Sequence, residues 1–323
     1  MTGQRLEKWR VIVVDTLLYR AVILLISFLP KQLAYSASKA VGRFQYRRHR
    51  PALAQPVENM RMRLQIPLAE AEGGLQRSFE LEASEFLEGC YFRFRPTKRT
   101  LELTEIRGLD NLTAALEHGR GAILYSGHVR GQFAFFAALG LLGYKPNPIR
   151  LQLRDIQHPI RRSFSDRFNR LMVEKFDCHF LWTQPDSFGL AVQTANALRR
   201  NEVVNVLIDL SFSAENVEVD FLGSRARFPV GPVLLAQATG APLLDYFVYR
   251  TDDWTPQIVE IGPPHSLSDD PQLTMQQCAS RLEEHIRRHP ADWAPWLIRD
   301  WGLFATWGDQ PPWTFLQEAT NRY

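Results

Sequence analysis

His128 and Asp209 are the two residues whose surroundings could carry chemistry. Each follows an apolar run that reads as a buried strand, residues 122–125 before the histidine and 203–208 before the aspartate. If both runs lie in one parallel sheet, both residues emerge at its carboxyl edge, where open α/β sheets bind their ligands. A histidine there can take a proton near neutral pH. A carboxylate beside it fixes the tautomer and steadies the imidazolium. The same residue types also serve as a loop histidine and a helix cap, so spacing alone leaves both readings open.

A second candidate is Phe221-Leu-Gly223-Ser-Arg225-Ala-Arg227-Phe-Pro229-Val-Gly231-Pro232. Two glycines and two arginines leading into a helix make a cradle for a phosphate, through amides at the helix start and forked guanidinium donors. The alternative is an ordinary surface turn. His285 and His289 stand four apart on a helix, a spacing that can bind zinc, but no third ligand lies near them in sequence, and no metal is expected. Trp293, Trp296, Trp301, Trp307 and Trp313 are too irregular for a repeat and suit a core or a membrane interface. The chain has no Gly-x-Ser-x-Gly elbow, Walker loop, dinucleotide fingerprint or His-Glu-x-x-His, which counts against hydrolases, NTPases, dehydrogenases and zinc proteases.

The elements that would position these residues alternate. From residue 101 onward, helices at 110–118, 132–142, 160–176, 186–200, 233–239 and 275–288 are interleaved with strands at 122–125, 149–153, 203–208 and 243–249, and a short hairpin at 219–221. This predicts an α/β fold with a central, mostly parallel sheet flanked by helices. The preceding segment reads as helices at 33–50, 57–64 and 75–94. Glu80, Glu82, Glu85 and Glu88 on the last form an acidic face expected to be solvated.

The net charge of +3 conceals an asymmetry. Residues 1–63 hold twelve Lys or Arg against Glu7, Asp15 and Glu58. The apolar run 11–29 is interrupted by Asp15 and Arg20, which argues against a clean spanning helix or a signal peptide. A helix lying in the membrane interface is expected, with a buried core helix or a single-pass anchor as alternatives. Basic charge beside it suits anionic membrane lipids. Nucleic acid is not expected, because no zinc-finger or RNA-binding signature accompanies the charge. The expected organisation is a membrane-associated segment, 1–50, and a single α/β domain, 51–323. Three cysteines in no paired spacing suit a reducing compartment.

The order of elements resembles the bacterial lipid A late acyltransferases, the lauroyl/myristoyl transferase family. The resemblance runs across nearly the whole chain, from Val57-Glu-Asn59-Met-Arg61 onward. It is carried by Tyr125-Ser-Gly-His128, by Gln157-His-Pro159 with Phe168-Asn-Arg170, and by Val206-Leu-Ile-Asp209. Phe221-Leu-Gly223, Phe228-Pro-Val-Gly231-Pro232, Thr239-Gly240-Ala-Pro242 and Trp296-Leu-Ile-Arg299-Asp-Trp301 extend it. It implies a glycerolipid-acyltransferase-like enzyme on the cytoplasmic face of the bacterial inner membrane, peripheral or single-pass. Such an enzyme moves an acyl chain from acyl carrier protein or coenzyme A to a hydroxyl of a lipid A precursor or another glycolipid. No cofactor is implied beyond the thioester co-substrate. His128 would be the general base. Arg170, Arg225, Arg227 and Arg299 are candidates for phosphate or pantetheine contacts, of which Arg170 and Arg299 alone fall on positions the family pattern marks, and Gly223 and Gly231 are further candidates.

The chain departs from the family at one point. The motif His-x4-Asp/Glu calls for an acid at position 133, and Phe133 stands there. Asp209 is the expected substitute. The second reading is an inactive homologue that binds lipid or carrier protein.

Overall fold

The structure, a computed structural model, describes residues 21–95, 97–150, 159–183, 187–209, 215–251 and 256–294. Seven strands form one sheet in the order β1-β9-β8-β2-β5-β3-β4: β1 Thr104–Arg107, β2 Ala122–Ser126, β3 Pro146–Arg150, β4 Leu181–Trp182, β5 Val203–Leu207, β8 Leu243–Tyr249 and β9 Gln257–Pro264. All pairings are parallel except β8–β9, so β9 and β1 run against the other five. The strands β2, β5 and β8 are predominantly apolar runs of the sequence, broken only by Ser126, Asn205 and Asp245, and are buried almost throughout, as a parallel sheet covered by helices demands. The hairpin β6 Asn216–Phe221 and β7 Ser224–Pro229 stands apart as a separate antiparallel pair.

The helices are α1 Lys31–His49, α2 Ala54–Leu64, α3 Leu68–Phe94, α4 Leu109–Glu117, α5 Gln132–Leu141, α6 Pro159–Phe176, α7 Ser187–Arg199, α8 Gly231–Thr239 and α9 Pro271–Arg288. Helix α5 packs against β3, β1 and α6, whereas α7, α8 and α9 pack on β5, β2 and β8. Helix α1 lies along α3, where the Tyr35 hydroxyl donates to Glu88 Oε1 at 2.8 Å. Arg250, just past β8, also pairs with Glu88 and so ties the sheet to both helices.

The α/β architecture with a mostly parallel sheet is as expected, but several readings need correction. Strand β3 begins three residues earlier than expected and contains Pro146 and Pro148. Proline cannot donate to a ladder and belongs where one side of a strand is open. Here the prolines pair only with β5, and β4 joins the strand later, at Ile149 and Arg150. The acidic face of α3 is not solvated. Glu80 and Glu88 are buried, and Glu80 meets Lys39, Arg43 and Arg77 because α1 and the sheet close over this helix. Among the described residues no helix is long and apolar enough to cross a membrane, so a single-pass anchor has no support there. Residues 21–26 are helical; 11–20, the rest of the apolar run, lie outside the described residues.

Candidate active site

Strands β2 and β5 are adjacent and in register, with Ser126 opposite Leu207. Two residues past each of these come His128 and Asp209, and the pair meets at the carboxyl edge. His128 Nδ1 lies 2.6 Å from Asp209 Oδ1, and the His128 backbone N–H donates to Oδ2 at 2.7 Å. The indole Nε1–H of Trp293 donates to the same Oδ2 at 2.7 Å. Asp209 and Trp293 are fully buried, while the His128 side chain keeps 32% of its surface.

Three N–H donors on one buried carboxylate set its charge state. Burial pushes the Asp209 carboxyl up, but the imidazole beside it and the hydrogen bonds from His128 and Trp293 outweigh that and hold it below the ordinary carboxylate range. An ionised Asp209 accepting at Oδ1 places the proton of a neutral imidazole on Nδ1. The free lone pair is then on Nε2. This division of labour within a histidine–carboxylate pair is what general-base chemistry requires.

The loop from Gly127 to Gly131 is pinned on all sides. Gly127 leaves room for Asp209; a Cβ there would lie 3.0 Å from Oδ2 and 2.7 Å from Leu282. The Arg130 amide donates to the Asp292 carbonyl, and the Ala294 amide donates to the His128 carbonyl, each at 2.9 Å. Gln132 Nε2 donates to the carbonyls of Gly127 and Val129 at 2.7 and 2.9 Å, and Tyr246 holds Gln132 in turn. Gly131 turns the chain into α5 with φ +85°. Its amide donates to Glu85 Oε1 at 2.5 Å and its carbonyl accepts from Gln257 at 2.7 Å. With its peptide groups satisfied in this way the loop has little freedom to wander.

The remaining candidate residues fall elsewhere. Residues 221–231 are not one loop leading into a helix. Leu222 and Gly223, both with positive φ, form the two-residue turn between β6 and β7, as the twist of such a hairpin favours. The Leu222 amide is taken by Glu283. Arg225 is exposed and pairs with Glu218 and Asp220, its neighbours across and along the hairpin, and Arg227 lies on the same exposed edge. Gly231 begins α8 and is exposed. The hairpin instead supports the site from behind, because Phe221 stands 5.9 Å from the Trp293 ring. Arg170 is exposed on α6, and Arg299 lies outside the described residues. His285 and His289 stack on Phe247 and Tyr249, and the described residues contain no group of three metal-binding side chains.

Sequence reasoning overlooked Trp293, which it treated as one of a scattered series, and Glu85. It also passed over Arg150. Phe133 forms no part of the histidine pair. Its ring packs on Phe168 at 4.8 Å and on Phe136, and the Arg150 guanidinium lies over it at 5.4 Å.

Phosphatidylinositol mannoside acyltransferases from two Mycobacterium tuberculosis strains are 37% identical to this chain over 97 residues, covering 30% of it and 30% of each of them. The Mycolicibacterium smegmatis protein of that name is 26% identical over 206 residues, 59% of this chain and 60% of its own length. The chain therefore spans less than two thirds of each relative. The family model described as bacterial lipid A biosynthesis acyltransferase matches residues 5–132 and 182–302, most of the chain including the His128 block and Asp209. The chain belongs to that bacterial lipid A biosynthesis acyltransferase family.

Proposed function

We propose that the protein is an O-acyltransferase that moves a fatty acyl chain from an acyl thioester, on acyl carrier protein or coenzyme A, to a hydroxyl of a glycolipid. The observation that carries this reading is the 2.6 Å contact between His128 Nδ1 and a buried, ionised Asp209, which leaves Nε2 on the accessible side. Nε2 takes the proton of the acceptor hydroxyl as its oxygen attacks the thioester carbonyl. The C–S bond breaks, and the imidazolium returns the proton to the departing thiolate. Asp209 stays ionised throughout and balances the transient imidazolium.

The acceptor class is supported by family membership and by relatives named for a mannosylated phosphoinositide. Attachment at a membrane surface is supported by Leu25 and Phe28, each 70% exposed, by exposed Phe94 against Phe28 and exposed Leu33, and by the excess of basic residues in the first 63. On this reading the protein is peripheral, on the cytoplasmic face.

The second reading, a lipid- or carrier-binding homologue without chemistry, is favoured by Phe133 in place of the motif acid. Transfer assays with a thioester donor separate the two. His128→Ala should abolish turnover, and Asp209→Asn should lower it on the order of 10²–10⁴-fold with acceptor binding retained. Full activity in Asp209→Asn would remove Asp209 from the mechanism. Absence of turnover in the wild type with every thioester tried, alongside retained lipid binding, would favour the second reading.

A further inference from the structure

Arg150 ends β3, the second strand over from that of His128, so the strands lie about 10 Å apart at the same edge of the sheet. Its guanidinium sits among three rings: 5.4 Å from the Phe133 centroid, 5.1 Å from Phe180 and 6.0 Å from Trp182. Its one hydrogen bond among the described residues goes from Nη1 to the Asn169 side-chain oxygen, which is neutral. No carboxylate among the described residues pairs with it. Burial drags its pKa downward, and the one other group that bears on its charge, the Cys178 thiol, is pushed by burial up to about 12 and is therefore neutral.

A half-buried cation with a single neutral acceptor among the described residues is an unfinished arrangement, because guanidinium carries five N–H donors in a fork shaped for carboxylate or phosphate. Aromatic faces attract the charge but accept none of the in-plane N–H groups. The same sheet face holds two further unmatched polar groups. Asn205, opposite Pro148 in β5, has neither amide atom paired, and Ser126 Oγ in β2 has no partner. The acid that the family motif places at 133 would stand within reach of this guanidinium and neutralise it. With Phe133 there and Asp209 serving His128, the positive charge has no acidic partner among the described residues and is open to a ligand.

We infer that Arg150, framed by Phe133, Phe180 and Trp182, seats a phosphate group of the substrate. The inference rests on the acyl-transfer reading for its location, since a phosphate can arrive either on the pantetheine arm of the donor or on the headgroup of a lipid acceptor. In both cases the recognised chemistry is a phosphate ester against the guanidinium fork.

The test is calorimetric titration of the full chain with three probes: coenzyme A, phosphatidylinositol in neutral-lipid vesicles, and inorganic pyrophosphate. Arg150→Gln should weaken the probe that binds by on the order of ten- to a hundredfold, and Arg150→Lys, which keeps the charge but loses the fork, by less. Phe133→Glu should weaken it similarly by pairing with Arg150 internally. That variant and Arg150→Lys decide the matter if Arg150→Gln does not fold. Loss confined to coenzyme A assigns the phosphate to the donor; loss confined to the vesicles assigns it to the acceptor; loss of both means the two phosphates use the seat in turn. Arg150-dependent binding of pyrophosphate alone keeps the seat and removes support from the acyl-transfer reading. Affinities that are unmeasurable in the wild type, or unchanged in folded Arg150 and Phe133 variants, overturn the inference even if transfer activity is found.

Discussion

Trp293 donates its indole N–H to Asp209 Oδ2, the oxygen that also receives the His128 amide, both at 2.7 Å. A residue 84 positions away in sequence thus helps to determine the charge and direction of the carboxylate that faces His128. Phenylalanine at 293 fills much of the same space without the donor. Trp293→Phe should cost about 1–3 kcal/mol in urea unfolding, because a buried charged acceptor loses a partner. The pH dependence has a definite sign. A carboxyl held below its unfolded value stabilises the fold at pH above that unfolded value, and this stability is lost as pH falls through the folded value. With one donor gone the folded value rises, so acid unfolding should begin at higher pH in the variant.

Gly131→Ala should be more damaging than a methyl group suggests. The residue has φ +85°, and a Cβ there would meet Gln257 Oε1 at 2.0 Å. Strain and displacement of Gln257 together should cost about 1–3 kcal/mol or more. Loss of the Gln257 bond to the Gly131 carbonyl should also loosen the histidine loop. Thermal unfolding and transfer assays on one sample check both effects; an unchanged melting temperature would contradict the packing described here.

Asp292 behaves in the opposite sense to Asp209. Burial, only partly offset by Arg250, Arg77 and Arg130, pushes its carboxyl up to about 7. The protonated form is favoured in the folded chain, so its contribution to stability is full below about pH 4 and is lost as pH rises through about 7. Asp292→Asn should therefore flatten the stability profile between pH 4 and 7. At pH 8 it should melt at least about 2 °C higher than the wild type, the shift that roughly 1 kcal/mol gives in a domain of this size. A parallel profile for the two proteins would rule this out.

Membrane attachment through the N-terminal helices predicts that Leu25→Ser with Phe28→Ser lowers binding to anionic vesicles by on the order of tenfold per side chain, since each inserts roughly 1.5–3 kcal/mol of apolar surface. Co-sedimentation measures it. Equal binding by the double variant would place the contact elsewhere.

Much of the sheet was legible because β2, β5 and β8 are predominantly apolar runs with a single polar residue each, and burial of parallel strands on both faces leaves such runs no other use. Strands β1 and β9 were missed for the converse reason. They lie at one side of the sheet, and Glu105, Arg107 and Glu260 interrupt their apolar character. The His128–Asp209 pair could be anticipated from two strand ends, since adjacent parallel strands deliver their next residues to one edge. What holds the pair could not. Glu85 looked like part of a solvated acidic face, and only the packing of α3 against the loop turns it toward the Gly131 amide. Trp293 follows the last helix with no local pattern, and its partner is defined by three-dimensional closure alone. The hairpin expected at 219–221 is present, but its turn at 222–223 and the strand after it also read as an anion cradle, because Gly, Pro and Arg serve a tight turn and an anion cradle equally well.

The clamp on the histidine loop has a consequence for synthesis. The loop is synthesised well before Asp292, Trp293 and Ala294, which bond Arg130, Asp209 and His128. During translation the nascent domain therefore carries His128 and Asp209 before the residues that brace them. A polypeptide stalled or cleaved before residue 292 should hold the sheet and the histidine yet remain chemically silent, so that the activity proposed here switches on only when the chain has closed over itself.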